Sequence, residues 1–453
     1  MAPATSPKAA DAAVFGASPV LRKSDHALWP LLGDEEARAV RRVLDRGILS
    51  GNYAPESSAF EEEFAAFAGA KHALLTHSGT SALEVALHGA GIGPGDEVLV
   101  PAYSFVATPL AVMHVGATPV FVDVDVRTGF MDLALAEKAV TSRTRGMMPV
   151  HIHGAALDMA AFTAFAAKHR LTLVEDAAQA HGAKFDGRPV GAIGTSGGFS
   201  MQSSKNLSTG EGGVFVTNDA AVAERANQFR NFGQDVARDD AKHYDTKHPL
   251  DGHRALVSSS AGSMYRGNEL MAAVARVQLA KLPARTEACQ ANALWLSQRL
   301  AALPGVVVPP NGGAGTSVFH KFRVAFDHAA AGLDVAAAPA SRRAFRDAML
   351  RALAAEGCEV VLWQNEPLPA QPVFRARTAQ PIDRDLPGGT ALSENYDPAR
   401  YPRTSELLDG SIVLFSQSCP LIAQDRATVE RYAEAFERVW NCREAVSRLP
   451  SAG

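Results

Sequence analysis

The chain has 453 residues, which is enough for a large core and for two domains. Hydrophobic residues make up 47% of it and charged residues 20%, the balance of an ordinary soluble globular protein. The formal net charge of −4 argues against nucleic acid or an anionic membrane surface as a partner.

The ends of the chain, its hydropathy and its cysteines predict a cytoplasmic protein. No run of about 18 apolar residues is present, so no membrane-spanning helix is predicted. The first two dozen residues are rich in Ala, Pro and Ser and lack the apolar core of a secretory signal, which predicts a flexible N-terminal arm. The cysteines are far apart and predict reduced thiols rather than a disulfide framework or a zinc site. They are Cys289, Cys358, Cys419 and Cys442.

Through the middle of the chain, short β-branched runs alternate with helical patterns, which predicts an α/β layer fold. The predicted strands are Ala73–Thr76, Glu97–Val100, Pro119–Val124, Met147–His151, Leu171–Glu175, a strand through Phe199, and Val214–Thr217. The predicted helices are Thr80–Ala90, Thr108–Val115, Met159–His169 and Asp219–Arg230.

The last part of the chain predicts a second domain. The polar, aperiodic stretch Gly233–Ala261 is predicted to be a loop, and no regular structure is predicted for Arg375–Arg403. The predicted helices here are Glu269–Leu282, Arg285–Leu303, Arg342–Glu356 and Asp425–Trp440. We therefore expect an arm over residues 1–28, a large domain over 29–282 and a small C-terminal domain over 283–445.

A candidate anion site lies between the first predicted strand and helix. Gly79 allows a tight turn, after which the first amides of the helix are unpaired at the positive end of its dipole. Thr80 and Ser81 can add hydroxyl donors. The alternative is that Thr80 or Ser81 is only an N-cap.

Lys205 and Asp176 are the candidate catalytic residues. Lys205 lies in a Ser- and Gly-rich turn, where its amine can form an imine with an aldehyde. Asp176 follows an apolar strand and would emerge at its carboxyl end, where a carboxylate can hold a ring nitrogen protonated. Glu175 is the rival carboxylate, but strand alternation directs it to the opposite face. The pair predicts a pyridoxal phosphate site.

These segments, in this order, resemble the DegT/DnrJ/EryC1/StrS family of pyridoxal phosphate-dependent sugar and cyclitol aminotransferases. The resemblance runs from about Trp29 to about Leu282 and, more weakly, to about Trp440. It implies the fold of the type I pyridoxal phosphate-dependent transferases, with a mostly parallel seven-stranded sheet in the large domain and a small α+β C-terminal domain. It also implies a homodimer with shared active sites.

The resemblance assigns further roles around the cofactor. Ser200, with residues 79–81, would bind the phosphate, and Gln179 would approach the ring hydroxyl. Phe105 would cover the ring face, although a role in the core is the alternative and Tyr103 would lie on the same side.

Tyr53 and His153 would lie near the substrate by the same resemblance. His153 could instead be a structural histidine that caps a strand. His243, His248 and His253 recur evenly in the polar loop but lack a rigid frame, and they are interpreted as solvated residues rather than metal ligands.

One departure from the family pattern concerns the cofactor's phosphate and a second concerns the substrate segment. Met264 replaces an asparagine that reaches the partner subunit's phosphate, so either a contact is lost or Ser263 or Asn268 supplies it. Where many relatives have a His-rich substrate segment, this chain has Leu362–Pro367.

The predicted activity is transfer of an amino group from L-glutamine or L-glutamate to a ketone on a cyclitol or sugar, in secondary-metabolite (antibiotic) biosynthesis. Lys205 argues against dehydration, because dehydratases of the family carry histidine there. A nucleotide-linked keto-sugar is the alternative acceptor. A regulatory protein that binds pyridoxal phosphate without turnover is a further alternative.

Overall fold

A computed structural model describes residues 11–52, 54–235, 257–311, 314–333, 339–375 and 395–450. A seven-stranded sheet forms the centre of the first half. Its strands are β1 (His72–Thr76), β2 (Glu97–Pro101), β3 (Thr118–Val122), β4 (Thr144–Met147), β5 (Thr172–Asp176), β8 (Ser196–Ser200) and β9 (Gly213–Thr217), with the hairpin β6 (Lys184–Phe185) and β7 (Arg188–Pro189) outside it.

The sheet has the order β1-β9-β8-β5-β4-β2-β3. Strands β8, β5, β4, β2 and β3 are parallel, and β9 runs antiparallel to both of its neighbours. The helices of this half are α1 (Asp34–Arg46), α2 (Pro55–Ala68), α3 (Gly79–Gly89), α4 (Ala107–His114), α5 (Leu133–Ala139), α6 (Met159–His169) and α7 (Ala220–Phe229). The predicted α/β fold is confirmed.

The second sheet has four antiparallel strands in the order β10-β11-β13-β12. They are β10 (Val306–Val307), β11 (Phe322–Phe326), β12 (Val360–Val361) and β13 (Ser411–Leu414). The helices are α8 (Glu269–Ala301), α9 (Pro339–Ala355), Pro372–Arg375, Pro402–Asp409, Arg426–Asn441 and Arg443–Val446. Trp440 stacks on Phe326 at a centroid distance of 5.6 Å and closes the core between this sheet and its helices.

Two predicted elements are wrong. The strand predicted over Met147–His151 is Thr144–Met147 in the structure, and beyond Met147 the pairing with β5 continues only as an isolated bridge between Val150 and Asp176. The two helices predicted on either side of Pro283 are one helix, α8. Proline removes one backbone hydrogen bond and costs about 3 kcal/mol, which packing of Leu279, Leu282 and Cys289 in the core offsets.

The division into an arm and two domains stays a prediction. Within the segment predicted as the arm, residues 12–21 contact the C-terminal half of the chain. The carboxylate of Glu356 accepts hydrogen bonds from the amides of Ala13 and Val20, at 2.8 and 3.1 Å. Ala12 and Leu21 are buried in the same core cluster. In the part of the chain described, no helix combines the length and the apolar character needed to cross a bilayer.

Close packing of β8 against a neighbouring turn leads to a stability prediction. A Cβ atom on Gly197 would lie 2.1 Å from the carbonyl oxygen of Gly191, which is backbone and cannot move aside. Gly197→Ala should therefore destabilise the protein by about 3 kcal/mol, the upper end of the usual overpacking cost. Urea unfolding followed by circular dichroism measures it. Gly93→Ala, where the nearest atom is 3.9 Å away, should stay within about 0.5 kcal/mol of wild type.

Candidate active site

Asp176 lies at the carboxyl end of β5 and is 4% exposed. Its Oδ2 accepts a hydrogen bond from the Thr108 hydroxyl at 2.7 Å, and its Oδ1 accepts one from the Ala178 amide at 3.1 Å. Burial raises the pKa of the Asp176 carboxyl, while these two hydrogen bonds and the charge of Lys205 act in the opposite direction. A positive charge nearby would therefore stabilise the ionised form of this buried carboxyl group.

Glu175 is on the other side of the sheet, as strand alternation predicts. Its carboxylate accepts hydrogen bonds from the amides of Gly191, Ile193 and Gly194, at 2.6 to 2.7 Å, and lies 3.0 Å from Nε2 of His151. These contacts tie a loop to β5. Glu175 therefore has a structural role, and Asp176 is the carboxylate that faces the site.

Lys205 lies in a loop after β8 and is half-buried. Two hydrogen bonds fix the turn. The Lys205 amide donates to the Gln202 carbonyl at 2.8 Å, and the Trp29 indole donates to the Lys205 carbonyl at 3.1 Å. Burial lowers the pKa of Lys205 to about 8, partly offset by the charge of Asp176. The ammonium and the carboxylate interact electrostatically, which places them in one site.

The N-terminus of α3 is the candidate anion-binding end of the site. Ser78 is the N-cap, since its hydroxyl accepts a hydrogen bond from the Ser81 amide at 3.1 Å. The Ser81 hydroxyl in turn accepts from the Ser78 amide at 3.1 Å. The structure thus uses the side chain of Ser81 in a capping box, whereas Thr80 follows the cap with its side chain partly exposed.

Gly79 brings this helix terminus against Ser200, the last residue of β8. A Cβ atom on Gly79 would lie 2.5 Å from the Cβ of Ser200 and 2.9 Å from its hydroxyl oxygen. Only glycine permits this approach. Because β5 and β8 are parallel neighbours, Asp176 and Ser200 lie at the same edge of the sheet.

A wall of polar and aromatic side chains flanks the site. The side-chain oxygen Oε1 of Gln179 accepts a hydrogen bond from the His153 amide at 2.8 Å, and Nε2 of His153 lies 2.7 Å from the Tyr103 hydroxyl. Trp363 packs edge-on against both rings, at centroid distances of 5.2 Å from Tyr103 and 4.9 Å from His153. Burial lowers the pKa of His153 well below its ordinary value, so the imidazole is neutral.

The remaining predicted residues lie at the edge of the site or outside the described part. Phe105 is 53% exposed, so a position in the core of this chain is excluded. Met264 is 47% exposed, and the side chain of Asn268 caps α8, where it accepts a hydrogen bond from the Met271 amide at 2.9 Å. Tyr53 and the three histidines of the polar loop, His243, His248 and His253, lie outside the described residues.

Sequence reasoning missed several residues that complete the site. The Thr108 hydroxyl binds the Asp176 carboxylate, and its only signal is its place in the segment predicted to carry the ring-covering aromatic. His320 and Lys321 precede β11 and are buried, as is His181. No local pattern marks His320 and Lys321, because the fold brings them from a distant part of the chain, whereas His181 lies in the segment that follows Asp176.

The residues fit pyridoxal phosphate. That cofactor needs an anion site, a carboxylate for its ring nitrogen and an amine for its aldehyde. The α3 terminus against Ser200, the buried Asp176 and the Lys205 amine supply the three at one edge of the sheet. Because Gly79 has no side chain, the first turn of α3 can lie directly against Ser200, and its free amides can approach an anion closely.

Comparison with known sequences gives one family and several named enzymes. Residues 30–395 match the sequence model of the DegT/DnrJ/EryC1/StrS aminotransferase family. L-Glutamine:scyllo-inosose aminotransferase of Streptomyces griseus is 34% identical over 440 residues, which are 95% of this chain and 98% of that enzyme. dTDP-3-amino-3,4,6-trideoxy-alpha-D-glucose transaminase of Streptomyces venezuelae is 41% identical over 301 residues, which are 66% of this chain and 74% of that enzyme.

Comparison with solved structures gives the same fold. The structure of S. venezuelae DesV in complex with a ketimine intermediate has a TM-score of 0.72 and 32% identity, over 92% of this chain and 95% of that one. The aminotransferase from Psychrobacter cryohalolentis has a TM-score of 0.76 and 30% identity, over 92% of this chain and 99% of that one.

Proposed function

The chain belongs to the DegT/DnrJ/EryC1/StrS aminotransferase family, and we propose that it transfers the amino group of L-glutamine or L-glutamate to a ketone on a cyclitol or sugar ring. Amino transfer and dependence on pyridoxal phosphate follow from the family. The donor, the acceptor ring and a place in secondary-metabolite (antibiotic) biosynthesis are the proposal.

The side chains divide the work between binding and proton transfer. Pyridoxal phosphate, when bound, supplies an aldehyde for the donor's amine and a pyridinium ring that withdraws electrons. The amides at the N-terminus of α3, with Thr80 and Ser200, would hold the phosphate. The carboxylate of Asp176, fixed by Thr108, would keep a proton on the ring nitrogen.

Lys205 would act as the nucleophile and then as the base. Its pKa of about 8 leaves a substantial fraction of free amine near neutral pH, which an ordinary surface lysine lacks. The same amine, when it is free, would accept the proton from the donor's α-carbon and would deliver it to the carbon that carries the cofactor's aldehyde. Asp176 limits the fall in pKa, so Lys205 can still hold that proton.

The acceptor side would use the wall formed by Tyr103, His153 and Trp363. The Nδ1 atom of His153 is buried without a hydrogen-bond partner in the described chain. A ring hydroxyl placed there would satisfy it. Phe105, at the rim, would cover the cofactor ring, and Tyr53 would contribute to the same pocket.

One observation favours a cyclitol as acceptor. The scyllo-inosose aminotransferase aligns along 95% of this chain, including the C-terminal part that supplies Trp363. The dTDP-sugar transaminase aligns along 66%. Its higher identity, 41%, supports a nucleotide-linked keto-sugar as the second candidate. The intact Lys205 and Asp176 leave no support for a binding protein without turnover.

A half-reaction experiment tests the proposal. L-Glutamine or L-glutamate should convert the cofactor-loaded protein to the pyridoxamine form, seen as loss of its visible absorbance. The pyridoxamine protein should then be reoxidised by scyllo-inosose faster than by dTDP- or UDP-linked 3-keto-sugars. Faster return with a nucleotide-linked sugar would select the second candidate, and no change with any donor would contradict amino transfer.

We also propose a cytoplasmic homodimer with shared active sites. Phe232 and Met264 support it, because they are 45% and 47% exposed and lie close together, in segments joined by the isolated Asn231–Met264 bridge and by a hydrogen bond from the Phe232 amide to the Ser263 carbonyl at 3.3 Å. Exposed apolar side chains beside a site are typical of a protein interface. Sedimentation velocity at micromolar concentration checks the dimer.

A further inference from the structure

A second lysine, Lys321, is buried beside the site. Its side chain is 3% exposed, and its Nζ atom has no hydrogen-bond partner among the described residues. A buried, unpaired ammonium is costly, and such groups are normally paired or hydrogen-bonded. Burial, with a smaller contribution from the charge of Lys205, lowers the pKa of Lys321 to about 8. Such a group gains free energy from an anionic ligand.

Lys321 directly precedes β11 and lies next to the substrate wall. Phe322 and Val324 of β11 point into the hydrophobic core, so Arg323 lies on the opposite face. The Lys321 amide donates a hydrogen bond to the His153 carbonyl at 3.3 Å. The charges of Arg323 and Lys321 both act on the His153 ring, which belongs to the substrate wall. Two cationic side chains therefore face the substrate side of the pocket.

We propose that Lys321 binds the α-carboxylate of the amino donor, with Arg323 adding positive charge on the same face. The inference rests on the proposed amino transfer and names the group that recognises its first substrate. Arg323 is itself fixed, since its guanidinium donates a hydrogen bond to the Arg127 carbonyl.

The position of Lys321 favours the donor over the acceptor. An amino acid carries its carboxylate on the carbon that bears the reacting amine, so a group that binds it must lie close to Lys205. The Asn206 side chain, next to Lys205, donates a hydrogen bond to the Val318 carbonyl at 3.0 Å and lies 3.4 Å from Nδ1 of His320, so the segments that carry the two lysines pack together. A cyclitol is neutral and would leave the ammonium unpaired. A sugar diphosphate is several bonds from its reacting ketone and needs an open groove, whereas Lys321 is 3% exposed.

The Lys321→Met variant tests the assignment, because methionine keeps the length and apolar body of the side chain without its charge. Each half-reaction is followed by the visible absorbance of the cofactor-loaded protein. The donors compared are L-glutamine and L-glutaminamide, in which a neutral amide replaces the α-carboxylate. We expect kcat/KM for L-glutamine to fall roughly 10- to 100-fold, as for loss of a charge-assisted hydrogen bond, and kcat/KM for L-glutaminamide to stay unchanged.

Binding without chemistry provides an independent measurement. Glutaramate is L-glutamine without its α-amino group, so it binds without reacting. Calorimetric titration of the cofactor-loaded protein with glutaramate should give a Kd that rises by the same roughly 10- to 100-fold factor in Lys321→Met. The exposed Lys184 provides the matched control, and Lys184→Met should match wild type in both measurements.

Several outcomes would overturn the assignment. Equal losses with L-glutamine and L-glutaminamide would show a structural role for Lys321. An unchanged L-glutamine half-reaction with a slower half-reaction of scyllo-inosamine, the carboxylate-free amine, would place Lys321 at the acceptor. A wild-type protein that reacts with no amino donor would instead contradict the proposed function, and it is detected before any variant is made.

Discussion

Replacement of Lys205 by alanine should reduce amino transfer by about 10⁴-fold or more, since the proposed function uses the residue both as nucleophile and as proton carrier. Its amine has a pKa lowered to about 8 and lies in the field of the Asp176 carboxylate. Turnover is measured with L-glutamine and the preferred keto acceptor. Borohydride reduction of the wild-type protein, followed by peptide mass mapping, should find the cofactor attached at Lys205.

Lys321 makes this experiment informative, because its pKa is also lowered to about 8. Cofactor attached to Lys321 in the wild-type protein would contradict the assignment of Lys205. Lys205→Arg keeps the positive charge without a free amine at neutral pH and should be as inactive as Lys205→Ala. The exposed Lys138 gives the control, and Lys138→Ala should be fully active. Unchanged thermal unfolding of the Lys205 variants excludes misfolding as the cause.

Local sequence signals predicted an element accurately where its first and last residues are set by neighbouring residues in the chain. The predicted bounds of the helix Met159–His169 are those of the structure, because the Asp158 side chain caps its start and Arg170 ends it in the left-handed conformation. The helix α8 was divided in two, since the penalty at Pro283 is local while the packing that offsets it comes from the other half of the chain. Local propensity yields to tertiary packing at such points.

The same limit applies to the site. Lys205 and Asp176 could be found from sequence because each lies in a local pattern: a polar turn for the lysine and the end of an apolar strand for the aspartate. Thr108, which fixes the aspartate, is 68 residues away from it, and Lys321 comes from a different sheet. Their roles depend on how the layers pack, and spacing along the chain does not encode that.

Replacement of Asp176 by asparagine should lower kcat by about 10²- to 10⁴-fold with little effect on the fold. The change removes the negative partner of the cofactor's ring nitrogen, and breaking a buried ion pair costs about 3–5 kcal/mol. Asparagine keeps the shape, and its single carbonyl oxygen can still accept one of the two hydrogen bonds that Asp176 accepts, from Thr108 or from Ala178. Steady-state kinetics with saturating cofactor measures the loss, and thermal unfolding of the apoprotein measures the stability.

The neighbouring carboxylate separates catalysis from structure. Glu175→Gln changes the adjacent residue of the same strand, but on the face where three backbone amides donate to it. Loss of that charge should destabilise the protein by about 1.5–3 kcal/mol, and the folded fraction should keep its kcat. Asp176→Asn should show the reverse pattern, with stability kept and turnover lost. If Glu175→Gln lowered kcat as much as Asp176→Asn, the ring nitrogen would not be specifically partnered by Asp176, because strand alternation holds the two carboxylates on opposite faces of the sheet.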